Sequence, residues 1–480
     1  MPYDYDLVVI GSGPAGEKGA ARAAYFGKRV AVIEKEREPG GAAVHTGTLP
    51  SKTLRETALF LSGHRQRALY GLHVSLDAHL AVPKLLSRKD AVRKKEVDRI
   101  TWNLERHGVD LLKGRARFVD AHTVEITGEG GARRVSGEHL LIATGSVPYH
   151  PPNIPFDDSH IDDSDTILLL DSMPARMAVL GGGVIGCEYA SMFAALGVKI
   201  TLIEPKGELL SFLDAEVSEL LRKALIDLGA DVRLNTSAVE VKRRDEGISV
   251  LLSTGEELLL DRLLIAAGRS GCTAGLGLEE IGVKIGKRGC VEVDKDFRTS
   301  VPSIFAVGDV VGFPALASTS MEQARAAVSS AFGLEYRCEA SQLLPYGVYT
   351  IPEVSCVGLS EEDAKGRGTE VVVGRGLYKH NARGEICGDT RGMVKLVFER
   401  STRRLLGAHC VGDSATELVH VGQAMIELKG TVDTLIAMVF NYPTLSEAYK
   451  YAAFDALGRW DKEPGAGEAG EATEGGGGGS

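Results

Sequence analysis

A chain of 480 residues with 44% apolar and 25% charged residues is too long for one ordinary core and is expected to fold as about three globular domains. The net charge of −10 argues against nucleic acid or an anionic membrane as main partner. No run of 18 apolar residues occurs, so no membrane-spanning helix is expected.

The N-terminal Met-Pro-Tyr-Asp-Tyr-Asp has no basic region and leads straight into a strand-like run, so it is not read as a signal peptide. From there a strand–turn–helix–strand unit is written twice. Asp6–Ile10 runs into Gly11-Ser12-Gly13-Pro14-Ala15-Gly16, an Ala-rich helix, and the strand Arg29–Glu34. Met177–Leu180 runs into Gly181-Gly182-Gly183-Val184-Ile185-Gly186, a helix, and Lys199–Glu204. In both copies the first glycine and the closing acid are 23 positions apart. Glycines at these positions let backbone approach a pyrophosphate, and the helix N-terminus offers N–H donors and a positive dipole end. The acid is placed to accept from a ribose hydroxyl. Each copy therefore reads as a dinucleotide-binding unit of a parallel sheet.

Between the copies lies Gly40-Gly-Ala-Ala-Val-His-Thr-Gly-Thr-Leu-Pro-Ser-Lys52, a stretch without cysteine. Lys52 follows Pro50-Ser51 at the start of a helix-like run, where a cation opposes the helix dipole unless an acid holds it. Glu188 is the expected partner, the alternative being a solvated lysine. His45 is read as structural. Leu140-Leu-Ile-Ala143-Thr144-Gly145-Ser146 is echoed by Leu263-Leu-Ile-Ala-Ala-Gly268-Arg269, each the closing strand and turn of a nucleotide unit. Ile304–Ala306 leads to Gly308-Asp309, either a capped strand end or a carboxylate for a ribityl or ribose hydroxyl. From about residue 346 short strands (Met393–Phe398, Leu405–Val411) and helices (Ala415–Lys429, Leu445–Leu457) indicate an α+β unit. The Gly/Glu-rich tail 461–480 is expected to be disordered.

Seven cysteines, at 187, 272, 290, 338, 356, 387 and 410, form no Cys-x-x-Cys, and reduced, mostly buried thiols of a cytoplasmic protein are expected. The twelve histidines show no metal-binding grouping, so no metal site is expected, and Arg93-Lys94-Lys95 reads as a solvated helix face.

Taken in order, Gly11–Gly16, Gly40–Lys52, Ala143–Gly145, Gly181–Gly186, Gly308-Asp309 and Tyr349–Pro352 resemble the motifs of the pyridine nucleotide–disulfide oxidoreductases, the family of dihydrolipoamide dehydrogenase and glutathione reductase. The resemblance covers about residues 3–460. It implies an α/β chain with two Rossmann-like domains, the one for FAD interrupted by the one for NAD(P), plus a C-terminal α+β dimerisation domain. The implied boundaries are 1–150 and 271–345 for the FAD domain, 151–270 for the NAD(P) domain and 346–460 for dimerisation, with 461–480 as a tail. FAD would be held by Gly11, Gly13, Pro14, Ala15, Gly16, Glu34, Lys35, Gly41, Ala42, Gly47, Thr48, Lys52, Ala116, Ala143, Thr144, Gly145, Gly308, Asp309, Leu316 and Ala317. The nicotinamide dinucleotide would be held by Gly181, Gly183, Val184, Ile185, Gly186, Glu188, Glu204, Val239 and Gly268.

Disulfide-active members of that family carry thiols at the positions of Ala43 and Thr48, and a histidine where this chain has Tyr442 in Asn441-Tyr442-Pro443-Thr444. Glu447, the usual partner of that histidine, is present. Both thiols and their proton handler are thus absent together. Gly47-Thr-Leu-Pro-Ser-Lys52 with Asn441-Tyr-Pro-Thr444 is most similar to the soluble pyridine nucleotide transhydrogenases of this family. The resemblance implies a homodimer that exchanges hydride between NADP(H) and NAD(H) through FAD by a ping-pong mechanism, with Lys52, Glu188, Thr48 and Tyr442 at the reacting centre. The alternative is a flavin NADH oxidoreductase, or diaphorase, that passes electrons to oxygen, quinone or a protein carrier. A non-catalytic dinucleotide-binding subunit and a dihydrolipoamide dehydrogenase are more distant readings. Glu204 favours NAD(H), since a carboxylate there repels the 2′-phosphate of NADP; Lys206, Arg243 and Arg244 are the cations able to compensate.

Overall fold

The computed structural model describes residues 3–63, 69–71, 78–156, 160–244, 247–334 and 343–460, with backbone alone over 78–85. Cys338 and the tail 461–480, expected to be disordered, lie outside the described residues. The chain forms two compact units: the first comprises residues up to 211, 218–344 and 349–351, and the second Phe212–Val217, Pro345–Val348 and the chain from Pro352 onward.

The first unit holds two parallel sheets. In one, β1 (Tyr5–Ile10) lies between β2 (Val30–Glu34) and β6 (Gly131–Ile142); β3 (Asp110–Lys113) extends it past β2 and β17 (Ile304–Ala306) past β6, all parallel. The early half of β6 turns outward as an antiparallel meander with β4 (Arg115–Phe118) and β5 (Thr123–Gly128). In the other sheet the order is β11 (Asp231–Arg233), β10 (Lys199–Ile203), β9 (Arg176–Leu180), β15 (Arg262–Ile265) and β8 (Ile161–Asp162), again parallel. A meander of β12 (Ala238–Arg244), β13 (Gly247–Leu252) and β14 (Glu257–Leu260) accompanies it. A short antiparallel pair, β7 (Ser146–Pro148) with β16 (Arg269–Gly271), ties the two repeats.

The strands read as unbroken apolar runs because both faces are covered: Leu7–Ile10 and Leu140–Ile142 are buried throughout. Helix α1 (Pro14–Tyr25) and, in the second repeat, the helix Val184–Ala195 start on extended glycines, Gly13 and Gly183. The third glycine of each motif admits no side chain. A Cβ on Gly16 would sit 1.9 Å from Gly11 O, and one on Gly186 1.8 Å from Gly181 O. That contact seats each helix against the turn that precedes it.

The second unit is one antiparallel sheet in the order β18 (Tyr346–Val348), β19 (Val354–Gly358), β22 (Leu405–Val411), β21 (Met393–Glu399), β20 (Val371–Leu377), with helices Ala415–Glu427 and Ala448–Arg459 among those packed on it. This is the α+β character read from the sequence. At its centre Lys395, 1% exposed, reaches Asp214 (2.9 Å), Glu361 (2.9 Å) and Glu216 (3.0 Å). Arg375 adds a second cation at 2.8 Å from Glu216, and Lys365 a third at 2.7 Å from Glu361. Burial opposes the lysine's charge, but the Asp214 carboxylate and the hydrogen bonds to Glu361 and Asp214 outweigh it and hold its pKa above the ordinary value. Burial likewise raises the Glu361 carboxyl, but hydrogen bonds to Lys365 and Lys395 dominate and bring it down to about 2.

Two outcomes follow for stability. Lys395→Met strands buried carboxylates and is expected to cost about 3–5 kcal/mol, read by chemical denaturation. The Glu361 contribution, about 3 kcal/mol by linkage, is complete above pH 4.5 and disappears as pH falls toward 2. Glu361→Gln should therefore flatten the acid limb of a stability-versus-pH curve; an unchanged limb refutes the assignment.

Candidate active site

In the first repeat three loops interlock. Ser12 donates to Glu34 Oε2 from both its N–H (3.0 Å) and its hydroxyl (2.5 Å), and Gly40 N–H donates to Ser12 Oγ (3.1 Å). Glu34 Oε1 takes the Glu36 N–H at 2.8 Å. A Cβ on Gly41, whose φ is +59°, would lie 3.0 Å from Gly13 Cα, so the two loops touch backbone to backbone. Gly114 N–H caps Glu34 O at 3.0 Å and leads into β4, which carries Ala116. Lys35 is half-exposed and lies 3.6 Å from Glu36.

Neither α1, beginning after Gly13, nor the helix Ala317–Phe332, beginning after Leu316, has a side-chain cap. Their first-turn N–H groups remain available to an anionic ligand. The buried hydroxyl of Thr144 in Ala143-Thr144-Gly145 has no partner among the described residues. Asp309 accepts from Ser146 Oγ (2.9 Å), and Ser146 is gripped by Arg269 through its hydroxyl (2.8 Å) and carbonyl (2.7 Å). Gly308 N–H is fixed on Gln323 Oε1 at 2.8 Å. Burial pushes the Asp165 carboxyl up in pKa, against the charge of Arg269, 3.9 Å away. Uncapped helix ends, an orphaned hydroxyl and glycines in close approach are the donor set an FAD needs.

The Gly40–Lys52 stretch is a short helix, α2 (Gly41–His45), followed by α3 (Thr48–Ser62). Gly47 N–H closes on Ala42 O at 2.6 Å and His45 Nε2 on Pro39 O at 3.0 Å, so His45 holds the loop, as read from sequence. Ala43 and Thr48 occupy this frame, Ala43 half-buried and Thr48 exposed. Lys52 Nζ donates to both oxygens of Glu188 at 2.8 Å. The carboxylate is 4% exposed and the lysine 26%. Tyr349 donates its N–H to Glu188 Oε1 (2.9 Å) and lays its ring 4.9 Å from the ammonium. The opposing helix dipole is thus answered by a buried acid from the other repeat.

In the second repeat the uncapped helix Val184–Ala195, carrying Val184, Ile185 and Gly186 in its first turn, repeats the α1 arrangement. Glu204 spends both oxygens on its own loops: Oε2 takes Gly182 N–H (2.6 Å) and Oε1 Lys206 N–H (2.8 Å). Thr236 N–H caps Glu204 O at 3.1 Å, two residues before β12 and its exposed Val239. Gly268 is shielded by Arg288, whose guanidinium stands 4.7 Å from the Tyr149 ring.

In the second unit, Tyr442 is 68% exposed, and Glu447 keeps one buried oxygen without a partner among the described residues. No group of three metal-ligating side chains occurs among the described residues, and no described helix is long and apolar enough to cross a membrane. The six described cysteines are free, three of them buried. Sequence reasoning missed Ser12, Ser146 and the grip of Arg269. The hydroxyl at the variable position of the first glycine motif was the available signal for Ser12.

A family model described as pyridine nucleotide-disulphide oxidoreductase matches residues 5–331, and that of its dimerisation domain matches 344–453. The chain is 46% identical to the soluble pyridine nucleotide transhydrogenase of Mycobacterium tuberculosis (strain ATCC 25177 / H37Ra) over 460 residues, 95% of this chain and 98% of that protein. It is 40% identical to the protein of the same name from Pseudomonas aeruginosa (strain LESB58) over 461 residues, 95% of this chain and 99% of that one. Among solved structures, LpdA from Mycobacterium tuberculosis superposes with a TM-score of 0.86 at 28% identity, covering 93% of this chain and 99% of that one. The HOCl-induced flavoprotein disulfide reductase RclA from Escherichia coli gives 0.84 at 29%, covering 94% and 99%.

Glu188→Ala removes the carboxylate that accepts from Lys52 and from the Tyr349 N–H. Lys52 can turn to water, so the expected loss is about 1–3 kcal/mol, less than for a fully buried pair. Calorimetric unfolding of the flavin-loaded protein checks it; no loss would mean that the pair is incidental.

Proposed function

The chain belongs to the pyridine nucleotide-disulphide oxidoreductase family, a family of FAD-binding oxidoreductases, and on that premise we propose that it transfers hydride between NADPH/NADP+ and NADH/NAD+. The observation that carries the reading is Gly40–Lys52: the loop frame, the glycine approach and Lys52 are kept, while Ala43 and Thr48 offer no thiol pair. Relatives of near-equal length that bear the transhydrogenase name support it.

Bound FAD would supply the hydride-accepting and hydride-donating chemistry between two nicotinamides. The N-terminus of α1, Thr144 and Glu34 would hold it at the pyrophosphate and ribose, with Asp309, fixed by Ser146, taking a further hydroxyl. The Lys52 ammonium, held by Glu188, would place positive charge where negative charge gathers during transfer. The N-terminus of the helix Val184–Ala195 would seat each nicotinamide dinucleotide in turn, one leaving before the next arrives. A hydride passed between carriers needs no separate proton, consistent with Thr48 and Tyr442 in place of a thiol and an imidazole. The protein would act in the cytoplasm as a homodimer through its second unit, the region matched by the dimerisation model. A second reading, an NADH oxidoreductase feeding oxygen, quinone or a protein carrier, is favoured by Glu204, whose charge disfavours NADP.

Anaerobic mixing with each nucleotide tests the choice. Both NADPH and NADH should bleach the flavin, and NADPH-to-thio-NAD+ transfer should give parallel double-reciprocal plots. Lys52→Met should lower kcat about 100-fold. No bleaching by millimolar NADPH, or quinone reduction outrunning transhydrogenation, would establish the second reading instead.

A further inference from the structure

We propose that Arg55 is a positioning residue for the Lys52 ammonium: it holds the 349–351 segment by a carbonyl, so that Tyr349 clamps the Lys52–Glu188 pair. The proposal concerns the charge presented to bound FAD and is independent of which nucleotides exchange hydride.

Arg55 stands where an amphipathic helix calls for an apolar side chain. The buried stripe of α3 runs Ser51, Leu54, Arg55, Ala58, Leu59, Ser62. The arginine is nonetheless only 3% exposed, and a buried cation is tolerated only where acceptors meet its donors. Its Nη1 reaches outward to the exposed carboxylate of Glu56 at 2.7 Å, an ion pair that water screens. Its Nε donates inward to Thr350 O at 2.9 Å, and Thr350 is fully buried. The inward bond is what a leucine at this position could not supply.

Three consecutive residues of the acceptor segment are tied. Tyr349 N–H donates to Glu188 Oε1 (2.9 Å), Thr350 O accepts from Arg55, and Ile351 N–H donates to Ser191 Oγ (3.1 Å). The Ser191 hydroxyl donates in turn to Glu188 O at 2.8 Å. The two N–H groups therefore go to the helix Val184–Ala195, and the carbonyl between them goes to α3. Ile351 packs with Leu59 and Ala195, one from each helix. Lys52 lies three residues before Arg55, on the neighbouring part of the same helix face. A circuit thus closes from Arg55 to Thr350, from Tyr349 to Glu188, from Glu188 to Lys52, and back along one turn of α3. Lys52 is partly exposed and has water as an alternative partner. The Tyr349 ring, 4.9 Å from its ammonium, opposes that escape.

Dye-equilibrated reduction of the FAD-loaded full chain reads the effect as a midpoint potential. At fixed poise, Arg55→Met should lower the ratio of reduced to oxidised flavin about 3- to 10-fold, the worth of a cation–π contact. Tenfold is about 30 mV for a two-electron couple. Tyr349→Leu, which keeps the backbone N–H and carbonyl, should give a similar shift, and the two together no more than the larger. In a Lys52→Met background neither should move the potential. A lower melting temperature with an unchanged potential would make Arg55 merely structural and overturn the assignment. Additive shifts, or a shift that persists without Lys52, would overturn it as well. If Arg55→Met does not load with FAD, Arg55→Gln, too short to reach Thr350 O, is read in the same way. Absence of hydride transfer from NADPH with this pattern of potentials intact refutes the transhydrogenase reading alone.

Discussion

The carboxylate of Glu188 is the constraint on which the arrangement of the first unit turns. It is 4% exposed, and such a charge is tolerated only when donors meet it. Those donors come from two distant places in the chain: the ammonium of Lys52 at the head of α3 and the N–H of Tyr349. Its own position is set two residues earlier, where Gly186 lies against Gly181 O with no room for a Cβ. A glycine contact in one repeat thereby determines where a lysine of the other repeat can rest. The loop preceding Lys52 is short and closed on itself, so fixing the lysine also fixes Gly41 against Gly13.

The two repeats share a plan but differ in tightness. Glu34 is gripped by the N–H and the hydroxyl of Ser12, and the same hydroxyl receives Gly40, so three loops are joined at one point. Glu204 meets Gly182 at the corresponding position, and a glycine has only its N–H to give. The first repeat gains a hydroxyl relay that the second lacks. A resident cofactor is served by a cradle closed from three sides, whereas a nucleotide that must leave every cycle is served by one with fewer ties. Under the proposed function, the tighter first repeat would keep FAD and the second, with one hydroxyl fewer, would take the nicotinamide dinucleotide.

Much of this was legible in the sequence because it is local. The glycine spacings, the acid 23 residues on and the apolar strand runs fix two βαβ units without long-range information. A cation at a helix N-terminus asks for an acid, and Glu188 is the preferred partner with a solvated lysine as the alternative; no local spacing singles out an acid 136 positions away. What stayed hidden depends on partners far apart in sequence. Lys395 sits in an otherwise ordinary strand, and its ligand Asp214 is 181 positions away. Nothing local indicates that Phe212–Val217 groups with the second unit while Tyr349–Ile351 groups with the first. The direction of the Glu204 carboxylate was equally unreadable, because either outcome is compatible with an acid at the end of a strand.

The thiol-free loop can be weighed on what its frame does. If its only purpose were to present two sulfurs, their loss would leave no pressure on the turn that spaced them. Yet Gly47 still closes on Ala42, His45 still anchors Pro39, and the helix that begins at Thr48 still delivers Lys52 to Glu188. Moving the start of α3 by one residue would rotate Lys52 by about 100° around the helix, given 3.6 residues per turn, and break the pair. The frame therefore has a task independent of sulfur: it sets the phase of α3. Ala43 and Thr48 sit in positions where that task asks only for a residue that does not disturb the turn.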